Sequence, residues 1–177
     1  MSNLNGKTVV VLVDELYNDL EFWYPTIRLE EAGAKVIVTG PEAGATYKSK
    51  YGMPAKADAG FADIDPDAVD GVVIPGGYAP DHMRRHKSCL DLVRFLNDQG
   101  KLVAPICHAG WVPISAGIVR GRRLTSFFAI KDDLVNAGAQ WVDEAAVTDR
   151  NFVSSRSPAD LPAFLRAVIA VLAAQPD

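Results

Sequence analysis

Cysteine and histidine are scarce in this chain of 177 residues, which has two cysteines and three histidines. Two cysteines do not make a disulfide framework and fit a reducing compartment, so we expect a cytoplasmic protein. The histidines, His82, His86 and His108, have no further cysteines or histidines at metal-ligand spacing, which argues against a metal site. A dinucleotide fingerprint and a Walker loop are also missing. We therefore expect the protein to use no cofactor.

Long hydrophobic runs and an excess of positive charge are missing too. The first apolar run, residues 9–13, is far too short for a signal sequence or a membrane span. The formal net charge of −4 disfavours binding to a phosphate backbone. We expect neither a membrane nor a nucleic acid as partner, and a small molecule as substrate. The length suits one domain, residues 1–177, of ordinary globular composition.

Apolar strand-like runs alternate with helical patterns along the sequence. The predicted core strands are 8–13, 35–39, 72–74 and 102–106; the predicted helices are 19–32, 90–99, 130–137 and 160–174. Shorter hairpins are predicted within 46–60 and 146–154, with residues 141–142 also paired to 151–154, and a further strand is predicted at 124–127. This alternation predicts an α/β fold, a doubly wound, mostly parallel sheet with helices on both faces. Ligands then bind beyond the carboxyl ends of the strands, where loops 14–19, 75–81 and 105–111 converge.

The central feature is Cys107-His108, which directly follows the strand 102–106 and precedes a helix-like run at 109–116. A strand that turns directly into a helix holds the turn residue at the sheet edge, facing the free N–H groups of the helix. The helix dipole should then lower the pKa of the thiol. The pattern predicts a nucleophile elbow with Cys107 as nucleophile; the alternative is a buried core cysteine, as we expect for Cys89.

Two neighbouring features complete the predicted chemistry. Gly76-Gly77 follows a core strand, and the Gly77 N–H together with the N–H after Cys107 could form an oxyanion hole; the alternative is a plain turn. No histidine lies downstream of His108, which excludes the layout of α/β-hydrolases and glutamine amidotransferases. His108 is therefore the candidate acid/base.

Across about residues 7–172 the protein resembles the PfpI family of intracellular proteases and glyoxalase- or deglycase-type proteins, within the class I glutamine amidotransferase-like superfamily. The motifs that carry the resemblance are Asp19-Leu20-Glu21-Phe22-Trp23-Tyr24-Pro25, Pro75-Gly76-Gly77-Tyr78-Ala79-Pro80, Ile106-Cys107-His108-Ala109, Ile114-Ser115-Ala116-Gly117, Thr125-Ser126, Ile130-Lys131-Asp132-Asp133-Leu134, Asn136-Ala137-Gly138-Ala139 and Ser154-Ser155-Arg156. Together they are specific for the family but not for one activity.

The resemblance implies a flavodoxin-like three-layer sandwich that assembles as a homodimer, often further as a hexamer. It implies that Cys107 is the nucleophile and that His108 pairs with Asp81 of a neighbouring subunit, while Gly77 supplies an oxyanion contact. The family also places a glutamate beside the sulfur, where our alignment has Asn18. An amide cannot shuttle a proton, so this alignment predicts weakened glyoxalase or deglycase activity. Glu15 and Asp19 are alternatives in the same loop.

Three functions remain open at this point. The first is a cysteine-dependent hydrolase or lyase that acts on small reactive carbonyls, glycated adducts or peptides. The second is a stress-response or redox protein in which Cys107 is oxidised, or a holdase, with little turnover. The third is a specialised hydratase or lyase, with Trp111, Tyr17, Tyr78 and Phe128 lining its pocket; these aromatics could equally be core residues.

Overall fold

A seven-stranded sheet forms the centre of the computed structural model, which describes residues 4–176. The strands are β1 (Thr8–Leu12), β2 (Lys35–Gly40), β3 (Thr46–Lys48), β4 (Pro54–Lys56), β5 (Ala59–Gly60), β6 (Gly71–Ile74), β7 (Leu102–Pro105), β8 (Arg123–Leu124), β9 (Gln140–Trp141), β10 (Ala146–Asp149) and β11 (Phe152–Ser155). The helices are α1 (Asp19–Glu31), α2 (Ala79–Met83), α3 (Lys87–Asp98), α4 (Trp111–Ser115), α5 (Lys131–Asn136) and α6 (Leu161–Ala174).

The strand order in the main sheet is β10-β11-β7-β6-β1-β2-β5. Its pairs are parallel except β10 with β11, which form an antiparallel hairpin at one edge. β1, β6 and β7 read as unbroken apolar runs because strands in the middle of a parallel sheet are covered on both faces. The predicted mostly parallel α/β fold is confirmed.

The helices cover the sheet with apolar faces. α1 and α6 pack on each other and on the sheet, while α3 packs on β6 and β7. Asn18 caps the N-terminus of α1, and its side chain accepts hydrogen bonds from the N–H groups of Leu20 and Glu21. The helix ends just before Gly33, which has a φ of 97° that glycine adopts without strain. Pro25 lies inside this helix, neither starting it nor ending it.

Several predicted elements differ from the structure. The loop predicted at 75–81 runs into the short helix α2, and the strand predicted at 124–127 is only the two-residue β8. Trp141 belongs to β9, which pairs with β8 in a separate small sheet rather than with β11. The Arg123 N–H donates to the Asp149 carboxylate at 2.8 Å, a hydrogen bond between distant segments that local sequence patterns do not show.

No helix within residues 4–176 is long and apolar enough to cross a bilayer.

Candidate functional site

Three loops meet at the carboxyl edge of the sheet, as the alternation of strands and helices predicted. The loop after β1 is joined to the loop after β6 by hydrogen bonds from Asn18 N to Gly76 O, at 3.1 Å, and from Tyr78 N to Leu16 O, at 3.0 Å. The segment after β7 joins the same edge through Ile106 N and Ile74 O, 3.1 Å apart. Residues from different parts of the sequence are thereby brought around Cys107.

Cys107 lies at the junction of β7 and the short 3₁₀ helix Cys107–Gly110. Its φ of 62° is in the left-handed region, where residues with a side chain are strained. The N–H groups of Gly77 and His108 both hydrogen-bond with its thiol. The residue is only 7% exposed, yet it lines a cavity of about 620 Å³. The sulfur is therefore enclosed by protein but faces a space large enough for a small substrate.

Glu21 is the acidic residue that contacts the Cys107 thiol. It lies in the first turn of α1, fully buried, and its Oε2 accepts a hydrogen bond from the Gly76 N–H at 2.8 Å. A Cβ atom on Gly76 would lie 2.5 Å from Glu21 Oε2 and 2.7 Å from Cys107 Cβ. Glycine is required at position 76 because the carboxyl group and the cysteine occupy the space of a side chain.

The prediction that Asn18 stands in place of this acid is wrong. The Asn18 Oδ1 caps α1, accepting from the N–H groups of Leu20 at 3.1 Å and Glu21 at 3.3 Å, although Asn18 does line the cavity. The alternatives in the loop are occupied elsewhere: Glu15 accepts from Lys48 N–H and Asp19 from the Ser49 hydroxyl. The weakened activity that was predicted from an amide at this place is therefore no longer expected.

A helical pattern in the sequence could have identified Glu21. Glu21, Phe22, Pro25 and Leu29 recur at the spacing of one helix face, and all four are buried. A carboxyl group on the apolar face of a helix is costly to bury unless it has a specific partner. The pattern marks Glu21 as a candidate site residue, although it does not name Cys107 as the partner.

The environment of Glu21 and Cys107 raises the pKa of both groups. Burial raises the pKa of Glu21 to about 7, against smaller opposing effects of Gly76, Cys107 and Lys50. Burial, and next the Glu21 charge, raise the pKa of the Cys107 thiol to about 12, although two backbone N–H groups favour the thiolate. The predicted lowering of the thiol pKa is wrong for the isolated subunit because desolvation and a neighbouring acid outweigh the short helix end.

Two adjacent anions are unfavourable here, so the pair keeps at least one proton at neutral pH. When that proton is on Glu21, the like charge beside the sulfur is removed, and the N–H groups of Gly77 and His108 remain to stabilise a thiolate. Glu21 can therefore take up the thiol proton and return it.

The His108 ring is fixed beside the sulfur. Its Nδ1 lies 3.2 Å from Cys107 Sγ, and the ring stacks on Phe127 with centroids 4.9 Å apart. Trp111 packs edge-on against the same ring at 5.4 Å. Burial, and secondarily Lys50, lower the pKa of His108, so the imidazole is neutral at pH 7 and able to accept a proton.

Of the remaining predicted site residues, Gly77 has the predicted contact with the sulfur, whereas Gly76 and Asp81 have other partners within the subunit. Gly77 directs its N–H to the sulfur, but the Gly76 N–H is used by Glu21 and is not an oxyanion donor. Asp81 lies in α2, where its carboxylate pairs with Arg85; the structure of one subunit, residues 4–176, records no contact between Asp81 and His108. The pairing across subunits stays a prediction.

Of the four aromatic residues proposed to line a pocket, two line the cavity and two do not. Trp111 and Tyr78 line the cavity. Tyr17 is fully buried, with its hydroxyl donating to Met53 O at 2.7 Å, so its place in the lining was wrong. Phe127 lines the cavity rather than Phe128, which is 73% exposed on the surface.

The remaining cysteine and histidines lie outside the cavity. Cys89 is fully buried in α3, where burial raises its thiol pKa to about 12, as suits a structural residue. The His86 Nε2 lies 3.7 Å from an Asp14 carboxylate oxygen. Among residues 4–176, no three Cys, His, Asp or Glu side chains are grouped so that they could hold a metal.

Several known proteins are similar to this chain over nearly its whole length. A deglycase from Pyrococcus horikoshii is 42% identical over 93% of this chain and 98% of its own length. Protein/nucleic acid deglycase 2 of Escherichia coli is 36% identical over 96% of this chain and 99% of its own. A two-domain protein from Anabaena variabilis, with DJ-1/ThiJ/PfpI-like and ferritin-like domains, superposes with a TM-score of 0.92 at 40% identity over 97% of this chain, which spans half of that protein. The DJ-1/PfpI family model matches residues 7–171, and the chain belongs to the DJ-1/PfpI family.

Proposed function

We propose that the protein is a cysteine-dependent deglycase that hydrolyses adducts of small 2-oxoaldehydes. The observation that carries this proposal is the buried Glu21 carboxyl group, which lies beside the Cys107 thiol at the wall of a cavity. A nucleophile and a proton-transferring group in contact are the basic arrangement of covalent catalysis. The deglycase names of two relatives, one 42% identical over nearly the whole chain, support the same substrate class.

The net reaction of a hemithioacetal of methylglyoxal with water gives the free thiol and lactic acid. Cys107 transfers its proton to Glu21, and its sulfur bonds to the aldehyde carbon, C1, of the adduct. The bond from C1 to the leaving thiol breaks, and the leaving sulfur takes the proton from Glu21, which becomes a carboxylate again. The bend at Cys107 acts here as a nucleophile elbow, since it presents the sulfur to the cavity.

The second half of the reaction moves hydrogen from C1 to C2. Glu21, as carboxylate, removes the C1 proton and returns a proton at C2, while the C1 hydroxyl proton passes to the C2 oxygen. C1 is thereby oxidised to a thioester as the C2 ketone is reduced to an alcohol. His108, neutral and 3.2 Å from the sulfur, accepts a proton from the water that hydrolyses the thioester. The Gly77 and His108 N–H groups stabilise the negative charge that develops beside the sulfur.

The test is product formation from a hemithioacetal of methylglyoxal with N-acetylcysteine. We expect the protein to convert the adduct to lactate and free thiol in a one-to-one ratio, measured by lactate assay and thiol titration. A peptide amide is tested in parallel. Release of methylglyoxal without lactate would refute the reaction, and faster cleavage of the peptide amide would make the protein a protease.

The structure does not support the reason for proposing a redox protein in which Cys107 is oxidised. That proposal rested on an amide beside the sulfur, and the structure has Glu21 in contact with Cys107 instead. We therefore regard oxidation of Cys107 as a side reaction of a catalytic thiol.

The proposal includes a homodimer in which Asp81 of the partner subunit orients His108. Within one subunit Asp81 forms an i,i+4 ion pair with Arg85, and Asp91 forms the same kind of pair with Lys87; both carboxylates are 44% exposed. Asp91→Asn is therefore a matched control for Asp81→Asn. We expect light scattering to show a dimer or larger oligomer, and Asp81→Asn alone to lower kcat roughly tenfold. A fully active Asp81→Asn protein would remove Asp81 from the mechanism.

A further inference from the structure

The cavity beside Cys107 contains a lysine that the proposed reaction does not use. Lys50 lies in the turn between β3 and β4 and lines the cavity together with Cys107 and His108. Within residues 4–176 no carboxylate lies within ion-pair distance of its ammonium group, whose recorded contact is the face of the Tyr51 ring, 5.0 Å from the ring centroid. Among the described residues, this cation in the cavity wall therefore has no ion-pair partner, although its charge lowers the pKa of Glu21 and of His108.

The turn that carries Lys50 is fixed to the site by hydrogen bonds. Lys50 N donates to Tyr17 O at 3.0 Å, and the Ser49 hydroxyl donates to Asp19 Oδ1 at 2.5 Å. The same hydroxyl oxygen accepts from the N–H groups of Tyr51, at 3.1 Å, and Met53, at 2.9 Å. A side chain on a fixed turn loses less entropy when it binds a ligand than one on a mobile loop.

Each of the other charged groups of the cavity has at least one partner. Asp19 accepts the Ser49 hydroxyl and lies at the start of α1, where the helix dipole stabilises its charge. Glu21 accepts the Gly76 N–H, and His108 is neutral. Much of the remaining lining is apolar or aromatic: Leu20, Tyr51, Tyr78, Trp111 and Phe127. Among the described residues that line the cavity, Lys50 is the one lysine or arginine, so an anionic ligand there would contact its ammonium group.

We propose that Lys50 binds the carboxylate of the substrate, so that the enzyme prefers glycated adducts that carry a free α-carboxylate. Such a carboxylate is present on free amino acids and at the last residue of a peptide, and it is absent from residues inside a polypeptide. This inference rests on the proposed deglycase function for its substrate, while its binding chemistry is testable separately.

The kinetic test compares two hemithioacetals of methylglyoxal that differ in one group. One is formed with N-acetylcysteine, which has the carboxylate, and the other with N-acetylcysteine amide, which is neutral. We expect the native protein to turn over the carboxylate adduct with a kcat/KM about tenfold higher, the selectivity of one charge-assisted contact. Equal values for the two adducts, or a preference for the amide, would overturn the proposal.

Lys50→Met should remove this selectivity. The variant keeps an unbranched side chain, one heavy atom shorter, and removes the charge. Any effect on Glu21 or His108 acts on both adducts and cancels in their ratio. Lys48→Met is the matched control because Lys48 is an exposed lysine of the same hairpin and is not part of the cavity lining. We expect a ratio near one for Lys50→Met and an unchanged ratio for Lys48→Met. Retention of the ratio in Lys50→Met would overturn the proposal.

Alkylation of Cys107 tests Lys50 without any turnover. Iodoacetate and iodoacetamide have nearly the same shape, both form a bond to sulfur with loss of iodide, and only iodoacetate is anionic. We expect Lys50→Met to lower the ratio of iodoacetate to iodoacetamide rates at Cys107 about tenfold, measured by peptide mass spectrometry. An unchanged ratio overturns the anion site. If neither adduct yields lactate but this ratio falls, the deglycase function fails and the anion site stands.

Discussion

Replacing Cys107 by alanine should lower kcat/KM for the hemithioacetal of methylglyoxal by roughly 10⁴-fold or more, because the variant has no nucleophile to form the covalent intermediate. Removal of the thiol should not prevent folding, since an alanine at this position would keep the backbone and leave only a slightly larger cavity. We expect the circular dichroism spectrum and the thermal midpoint to stay close to those of the native protein. The measurement is the initial rate of lactate formation.

Cys89→Ala is the matched control for this substitution. Cys89 is the second cysteine of the protein and is fully buried in α3, outside the cavity. We expect its kcat/KM to remain within about twofold of the native value, with a modest loss of stability from the small void it leaves. Residual lactate formation by Cys107→Ala at more than roughly a hundredth of the native rate would contradict covalent catalysis by Cys107.

The main sheet was predictable because its strands have a strong and simple pattern. Residues 72–74 and 102–105 are apolar without interruption, as strands buried on both faces must be, and the structure has β6 and β7 there. The two-residue strands β8 and β9 carry no such pattern. They are defined by parallel pairing between segments distant in sequence, and local patterns do not encode that pairing.

The position of Cys107 at the carboxyl edge of the sheet could be predicted too, because Cys107 comes two residues after β7, a strand with this simple apolar pattern. Its acidic partner could not be predicted from the loop alone. Asn18 and Glu21 are separated by one helical turn, and both are polar residues near the start of α1. Only the packing of α1 on the sheet shows that Asn18 caps the helix while Glu21 reaches Gly76 and Cys107.

The place of Lys50 beside the cavity is a second feature that could not be predicted from the sequence. The hairpin that contains Lys50 was predicted, and β3 and β4 pair as expected. Its position in the cavity wall depends on the hydrogen bonds from Lys50 N to Tyr17 O and from the Ser49 hydroxyl to Asp19. These hydrogen bonds connect segments that are distant in sequence and involve residue types that are common in any loop.

Glu21→Gln should lower kcat/KM roughly 10²- to 10⁴-fold, the usual contribution of a general acid/base. The amide has the same shape, and its oxygen can still accept the Gly76 N–H, but it cannot exchange the proton of Cys107. Because the Glu21 pKa is about 7, we expect native kcat/KM to change with pH around neutrality and this dependence to disappear in the variant. Glu30→Gln, at an exposed position of the same helix, should retain both rate and pH profile.

The stability of the same variant checks the environment of Glu21 independently of catalysis. Folding raises the pKa of Glu21 from 4.5 to about 7, so between these pH values the folded state holds a proton that the unfolded state releases. The native protein should therefore lose about 3 kcal/mol of stability from this group as the pH rises through that window. Glu21→Gln has no charge to bury, so we expect urea denaturation to show it more stable than the native protein at pH 8 and similar at pH 4. If the two proteins have the same pH dependence of stability, Glu21 is not a desolvated acid. A variant that is more stable at pH 8 yet nearly inactive would show that the buried carboxyl group is kept for proton transfer at a cost to the fold.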